Sequence, residues 1–207
     1  MSAQGQVYEW HGVRPPYSHS YLLPKLKPII AARDWPEGAS ALDFGCGNGS
    51  LTNWLSGEGF RAVGVDLSKS GIEVAKRAYP ALFFSTDTSA ENIARSGPYD
   101  LALCIEVIAH CFEPDVEIKK VFDSLKPGGM LILATPYYGY LKNLALAITG
   151  RLAEHRSVAS SAAYVNLFTI ASIGRLLREA GFADIAVARV GRIAPLAKAM
   201  LVTARKP

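Results

Sequence analysis

A chain of 207 residues with 50% hydrophobic and 19% charged residues suits one domain with a substantial core and is too apolar to be a disordered segment. Its net charge of +4 is mild, and the short basic clusters Lys25/Lys27, Lys119/Lys120 and Arg205/Lys206 do not interleave with aromatics, so no nucleic-acid partner is expected. Cys46, Cys104 and Cys111 make no CxxC pair, which argues against a disulfide framework and against structural zinc.

Residues 1–20 are polar and irregular, with Pro15-Pro16 and the aromatics Tyr8, Trp10 and Tyr17. Met1–Trp10 lacks a charged segment followed by an apolar core, so no signal peptide is expected there. No apolar run reaches the roughly 20 residues that cross a bilayer, and a cytoplasmic location is the default expectation. A short helix is predicted over Tyr21–Ala32, with Pro24 and Pro28 limiting its regularity, before a turn at Asp34–Gly38.

From Ala39 the pattern alternates strand and helix. Strands are predicted at Ser40–Phe44, Arg61–Val65, Ala81–Ser85, Asp100–Ile105 and Met130–Ala134. Helices are predicted at Ser50–Gly57, at Lys69–Ala78 capped by Ser68, within Thr86–Arg95, and from Pro114 to Leu125. Lys126-Pro127-Gly128-Gly129 is read as the stop before the fifth strand. The rhythm breaks after Pro136, and residues 137–168 read as an insertion. A helix at Ala171–Ala180 ends on Gly181, and Asp184–Val190 and Ala197–Ala204 are the last strands. This order implies an α/β fold with a mainly parallel sheet and helices on both faces.

The chemistry concentrates where strands end. Ala41–Thr52 reads as a strand entering a glycine turn that opens a helix, whose free N–H groups point at whatever lies over the turn. Ser50 stands where the dinucleotide fingerprint has its third glycine. Asp43, just before the turn, would repel a pyrophosphate and attract an ammonium. Both features favour a ligand with an amino-acid end over NAD. Asp66 ends the second strand, where an acid can accept both hydroxyls of a ribose; Ser68 is already available as the helix cap, so the ribose role is preferred.

The ordered set D-x-G-C-G-x-G (Asp43–Gly49), Asp66 and L-x-P-G-G-x-L (Leu125–Leu131) spans residues 41 to 135 and resembles class I S-adenosylmethionine (SAM) methyltransferases. The resemblance implies a doubly wound seven-stranded sheet in the order 3-2-1-4-5-7-6, with strand 7 antiparallel. It implies SAM as methyl donor, S-adenosylhomocysteine (SAH) as product, and donor contacts from Asp43, Gly45, Cys46, Gly47, Asp66, Leu67, Asp87, Thr88 and Ile105. Asp87 would accept the adenine amine, and the Thr88 backbone N–H would meet a ring nitrogen. Glu106–His110 resembles the Glu-Val-Ile-Glu-His segment of ubiquinone-type O-methyltransferases and small-RNA 2′-O-methyltransferases. In metal-using members the two glutamates and the histidine contribute to a divalent-metal site. Here Ala109 replaces the second glutamate, and no metal is expected. Two readings of His110 stay open: a general base for a hydroxyl, or a loop residue that shapes the pocket.

The acceptor side is expected from the segment 1–38 and the insertion 137–168, as lid elements of a single domain covering 1–207. His19, His155 and Tyr164 are candidates to reach the pocket. The apolar helix carrying Leu141, Leu144, Leu146 and Ile148 reads equally as a core or dimer helix, or as a lid over an apolar acceptor that also offers a peripheral membrane contact through 137–148. The expected reaction is methyl transfer to a hydroxyl on an apolar or aromatic small molecule, with nitrogen, carbon and carboxylate acceptors open. A SAM-binding regulator or scaffold is the main rival. An NAD-dependent oxidoreductase is disfavoured by Ser50 and Asp43.

Overall fold

The computed structural model describes residues 8–150 and 165–207. Its helices are α1 (His19–Ala31), α2 (Ser50–Gly57), α3 (Lys69–Ala78), α4 (Ala90–Ser96), α5 (Pro114–Ser124), α6 (Tyr140–Ile148) and α7 (Ile170–Ala180). Its strands are β1 (Ser40–Phe44), β2 (Arg61–Val65), β3 (Phe83–Ser85), β4 (Tyr99–Ile105), β5 (Leu125–Pro136), β6 (Ala183–Val190) and β7 (Ala199–Arg205). Among the described residues they form one seven-stranded sheet in the order 3-2-1-4-5-7-6. β1 to β5 pair in parallel, and β7 runs antiparallel to both β5 and β6.

Consecutive side chains of a strand point to opposite faces, so a central strand apolar at every position must be covered on both sides. β1 is buried throughout and divides its residues accordingly. Leu42 and Phe44, with Cys104 of β4 and Leu133 of β5, meet Ile118 and Val121 of α5 and Ile173 and Leu177 of α7. Ala41, with Leu103 of β4 and Ile132 of β5, meets Leu22 and Leu26 of α1 and Leu51 and Leu55 of α2. The two cores fix β1 and β4 at the centre of the sheet, where the strand order reverses. An open α/β sheet binds ligands at the carboxyl end of that point.

The departures from the sequence reading have local causes. β3 starts at Phe83 rather than Ala81, because the Leu82 N–H turns back to the Tyr79 carbonyl at 3.0 Å. β5 starts at Leu125, ahead of the expected Met130. Its pairing with β4 jumps from Tyr99/Leu125 to Leu101/Met130, so the Pro-Gly-Gly residues form an irregularity inside the strand. Gly128 takes φ +75° there and donates to the Lys206 carbonyl. α1 begins two residues earlier than predicted and carries both prolines. α7 starts on a Thr169–Ser172 capping box and stops at Gly181 with φ +108°. No helix among the described residues is long and apolar enough to cross a membrane.

Candidate active site

The glycine turn after β1 is held from across the sheet. Gly45 and Cys46 donate their N–H groups to the Val65 carbonyl at 2.8 and 3.1 Å, and the Gly47 N–H donates to Asp66 Oδ2 at 2.7 Å. Gly45 and Gly47 need to be glycine twice over. Both lie at positive φ, and an added Cβ would sit 2.2 Å from Val107 Cγ2 at Gly45 and 2.2 Å from the Trp10 ring at Gly47. Trp10 belongs to an N-terminal segment that lies directly on this turn. The Trp10 N–H donates to Ser70 Oγ, Ser68 Oγ donates to the Tyr8 carbonyl, and the buried Asn48 side chain donates to the carbonyls of Gly12 and Arg14. The sequence assigned this segment to the acceptor side; the structure lays residues 8–14 over the glycine turn.

Each expected donor residue has a definite place. Asp66 Oδ1 accepts from the Ser68 N–H at 2.7 Å, so both carboxylate oxygens are already fixed by backbone donors at the strand end. Each oxygen keeps further lone pairs for a diol. Burial raises its pKa, against the pull of those N–H groups. Asp43 is 1% exposed; its carboxylate accepts from Thr52 Oγ at 2.7 Å, and burial pushes it up to about 7. It faces α2 and the interior. Cys46 is buried beneath the turn and its thiol is pushed well up by burial. Leu67 is exposed beside Asp66, and Ile105 ends β4 buried. Asp87 is exposed and accepts from the Ser89 N–H at 2.9 Å, the turn role open to any aspartate in such a loop, with Thr88 half-buried next to it.

Two cavities lie at opposite ends of the sheet. The larger, about 670 Å³, is lined by Ser40, Arg61, Phe83 and Gly97 at the amino ends of the strands, away from every residue named above. The smaller, about 240 Å³, lies at the carboxyl ends and is lined by Glu106, Pro136, Tyr138, Lys142, Lys198 and Tyr17 among others. The smaller one is where an open α/β sheet places chemistry, and size does not override that. Glu106 forms its link to the glycine turn. It follows β4 at φ +59°, a conformation that is uncommon for glutamate, and its neighbour Val107 is the side chain against Gly45. Among the described residues Glu106 Oε1 is closed off from solvent without a hydrogen-bond partner, and burial raises the carboxyl to about 7, with Lys142 pulling it down.

His110 stands one 3₁₀ turn further on, half-buried, and does not line this cavity. Ala109 is fully buried, and its carbonyl receives the N–H groups of Val165 and Asn166, which ties the chain beyond the insertion to the β4 loop. His19 faces Ser50 at 3.4 Å, where burial lowers it to about 4. His155 and Tyr164 lie outside the described residues. Sequence reasoning did not find Lys142, Arg192 or Lys198. They come from α6 and from the connection between β6 and β7, which share no periodicity or motif.

The sheet order, the glycine turn and the acid after β2 together define the class I SAM-dependent methyltransferase fold. A family profile described as a methyltransferase domain matches residues 17–187, and the chain belongs to that family. It is 39% identical over 118 residues to a ubiquinone biosynthesis O-methyltransferase of Chelativorans sp. (strain BNC1), covering 55% of this chain and 46% of that protein. The chain thus spans about half the length of the curated relatives it matches. Among solved structures it is similar to magnesium protoporphyrin IX methyltransferase from Synechocystis PCC 6803 with bound SAH (TM-score 0.67, 21% identity, 90% of this chain and 82% of that one). It is also similar in fold to the [4+2]-cyclase SpnF (TM-score 0.64, 18% identity, 100% and 87%), so the fold by itself does not select a reaction.

Proposed function

We propose that the protein transfers a methyl group from SAM to a hydroxyl of a small molecule bound in the 240 Å³ cavity at the carboxyl ends of β4 and β5. One observation carries this reading. The glycine turn and the cavity meet at consecutive residues, with Val107 against Gly45 and Glu106 in the cavity wall. A donor over the turn and an acceptor in the cavity would therefore face each other across a single peptide. Donor and acceptor chemistry of this kind asks for alignment and for removal of one proton. The tight glycine turn and the fixed Asp66 carboxylate suit a nucleoside with an amino-acid tail. The names of the sequence relatives support oxygen as the acceptor atom. His110 and Glu106 are the two candidates for the proton, and the cavity favours Glu106 because Glu106 lines it and, among the described residues, its Oε1 lacks a partner.

The test joins calorimetric SAH binding to an assay of labelled methyl release. SAH should bind, and Asp66→Ala should weaken it by about 1–3 kcal/mol by removing charge-assisted hydrogen bonds to the ribose. Glu106→Gln should depress turnover more than His110→Ala does. A folded Asp66→Ala protein with unchanged SAH affinity would sink the ribose assignment. SAH binding without methyl transfer to any hydroxyl, amine, carbon or carboxylate acceptor would favour a SAM-binding regulator instead.

A further inference from the structure

The wall of the acceptor cavity is more cationic than a purely apolar acceptor requires. Lys142 of α6, and Arg192 and Lys198 of the β6–β7 connection, all line it, and among the described residues Glu106 is the carboxylate that faces them. Among the described residues none of the three cations forms an ion pair with an acid. The hydrogen-bond partners of the two lysines are neutral. Lys142 Nζ donates to the Tyr137 carbonyl at 2.8 Å and lies 5.2 Å from the Tyr138 ring centroid. Lys198 Nζ donates to the Tyr17 hydroxyl at 2.8 Å. Burial lowers the Lys142 pKa and Arg192 lowers it further, with the Glu106 carboxylate raising it in part, so Lys142 and Arg192 repel one another across the cavity. Like charges gathered in a partly desolvated cavity are destabilising until an anion joins them. The glycine turn and Asp66 do not line this cavity, so the anion is not naturally that of the donor.

We propose that the acceptor is an aromatic hydroxy-acid: its anionic group lies between Lys142, Arg192 and Lys198, its ring lies against Tyr17 and Tyr138, and its hydroxyl faces Glu106. This rests on the methyl-transfer reading above and names the substrate class for it. The step balances without a further reagent. The methyl–sulfur bond of SAM breaks as the methyl–oxygen bond forms, the sulfonium becomes the neutral thioether of SAH, and the hydroxyl proton passes to the Glu106 carboxylate. Arginine and lysine suit the anion differently, Arg192 through its planar fork and the lysines as point charges.

The test compares hydroxybenzoates and hydroxycinnamates with their own methyl esters, which keep the ring and the hydroxyl and lose the charge. Binding to the SAH complex is measured by calorimetry, and methyl transfer is measured separately. The free acids should bind at least tenfold more tightly than the esters. Arg192→Gln and Lys142→Gln should each bring that ratio below threefold, with SAH affinity moved by less than threefold. Arg192 is exposed, so its replacement tests the site without threatening the fold. Esters that bind as well as acids, or a preference for acids that survives both substitutions, would overturn the proposal. A collapse of SAH affinity would overturn it too, by assigning the cations to the carboxylate of the donor. Acids that bind as expected and are never methylated would leave the anion site standing and refute methyl transfer, which separates the two readings.

Discussion

Asp43 and Asp66 show how one residue type takes two roles through its surroundings. Asp66 ends its strand with two backbone N–H groups on its oxygens, while Asp43 is sealed against α2 with one hydroxyl donor from Thr52. Burial without a cation raises a carboxyl, and Asp43 reaches about 7 from an ordinary 3.8. The sign follows from linkage. A raised folded-state pKa favours the protonated fold, so this contribution is complete below about pH 3.8 and is lost as pH rises through about 7. His19 works in the opposite direction. Its folded pKa is lowered to about 4, so its contribution is lost as pH falls from 6.5 toward 4. Asp43→Asn keeps the shape and the acceptor for Thr52, and leaves His19 as it was. Its melting temperature should therefore match that of the parent near pH 4 and exceed it at pH 8, by at most about 4 kcal/mol in stability at roughly 1.4 kcal/mol per pKa unit. Melts at the two pH values that show no widening difference would mean that Asp43 is not desolvated as described.

The N-terminal segment and α6 are the elements that the sequence read least well. Strands and helices of the sheet announce themselves by period, and nearly every one was legible from Ala39 onward to within two residues; β5 is the main exception. Its ladder with β4 slips across a Pro-Gly-Gly irregularity, which a local pattern reads as a stop. The glycine turn after β1 and the acid after β2 were equally legible as structure, because they sit at strand ends at readable spacing. Residues 8–14 were not, since what fixes them lies 34 to 60 residues away in sequence: Asn48 in the glycine turn, and Ser68 and Ser70 where α3 begins. Asn48 is 0% exposed and spends both amide hydrogens on the Gly12 and Arg14 carbonyls. Asn48→Ala removes both donors and leaves two carbonyls to find water, a loss of about 1–3 kcal/mol. Protease cleavage and amide exchange should rise within residues 8–14 before they rise in the sheet. Simultaneous loosening of β1 and β4 would show that the segment is part of the global core. α6 has no buried residue, and Tyr140 and Ile148 are 79% and 77% exposed, so among the described residues its apolar face is not a core face. That narrows the sequence reading to a surface or lid role and explains why α6 can lend Lys142 to the cavity.

At the scale of the whole molecule, function should sit at one end of the sheet and leave the other untouched. The larger cavity, at the amino ends of β1 to β3, has two arginines, Arg61 and Arg95, and could draw a nucleotide phosphate on charge alone. The topology argues otherwise. In a parallel sheet the connections at the carboxyl ends are the ones that carry free N–H groups, acids and glycine turns, and here those features gather after β1, β2 and β4. A ligand that binds only the folded chain stabilises it by mass action, about 2.7 kcal/mol at a hundred times its dissociation constant. For a domain of this length each kcal/mol raises the melting temperature by roughly 2–4 °C, so SAH should raise it by about 5–11 °C. NADH should produce no comparable shift, because Ser50 replaces the glycine that a dinucleotide turn needs. Arg61→Gln, at the larger cavity, should keep the full SAH shift, whereas Asp66→Ala should lose most of it. The opposite pattern, with Arg61 required and Asp66 dispensable, would move the donor to the amino ends of the strands and with it every assignment made at the glycine turn.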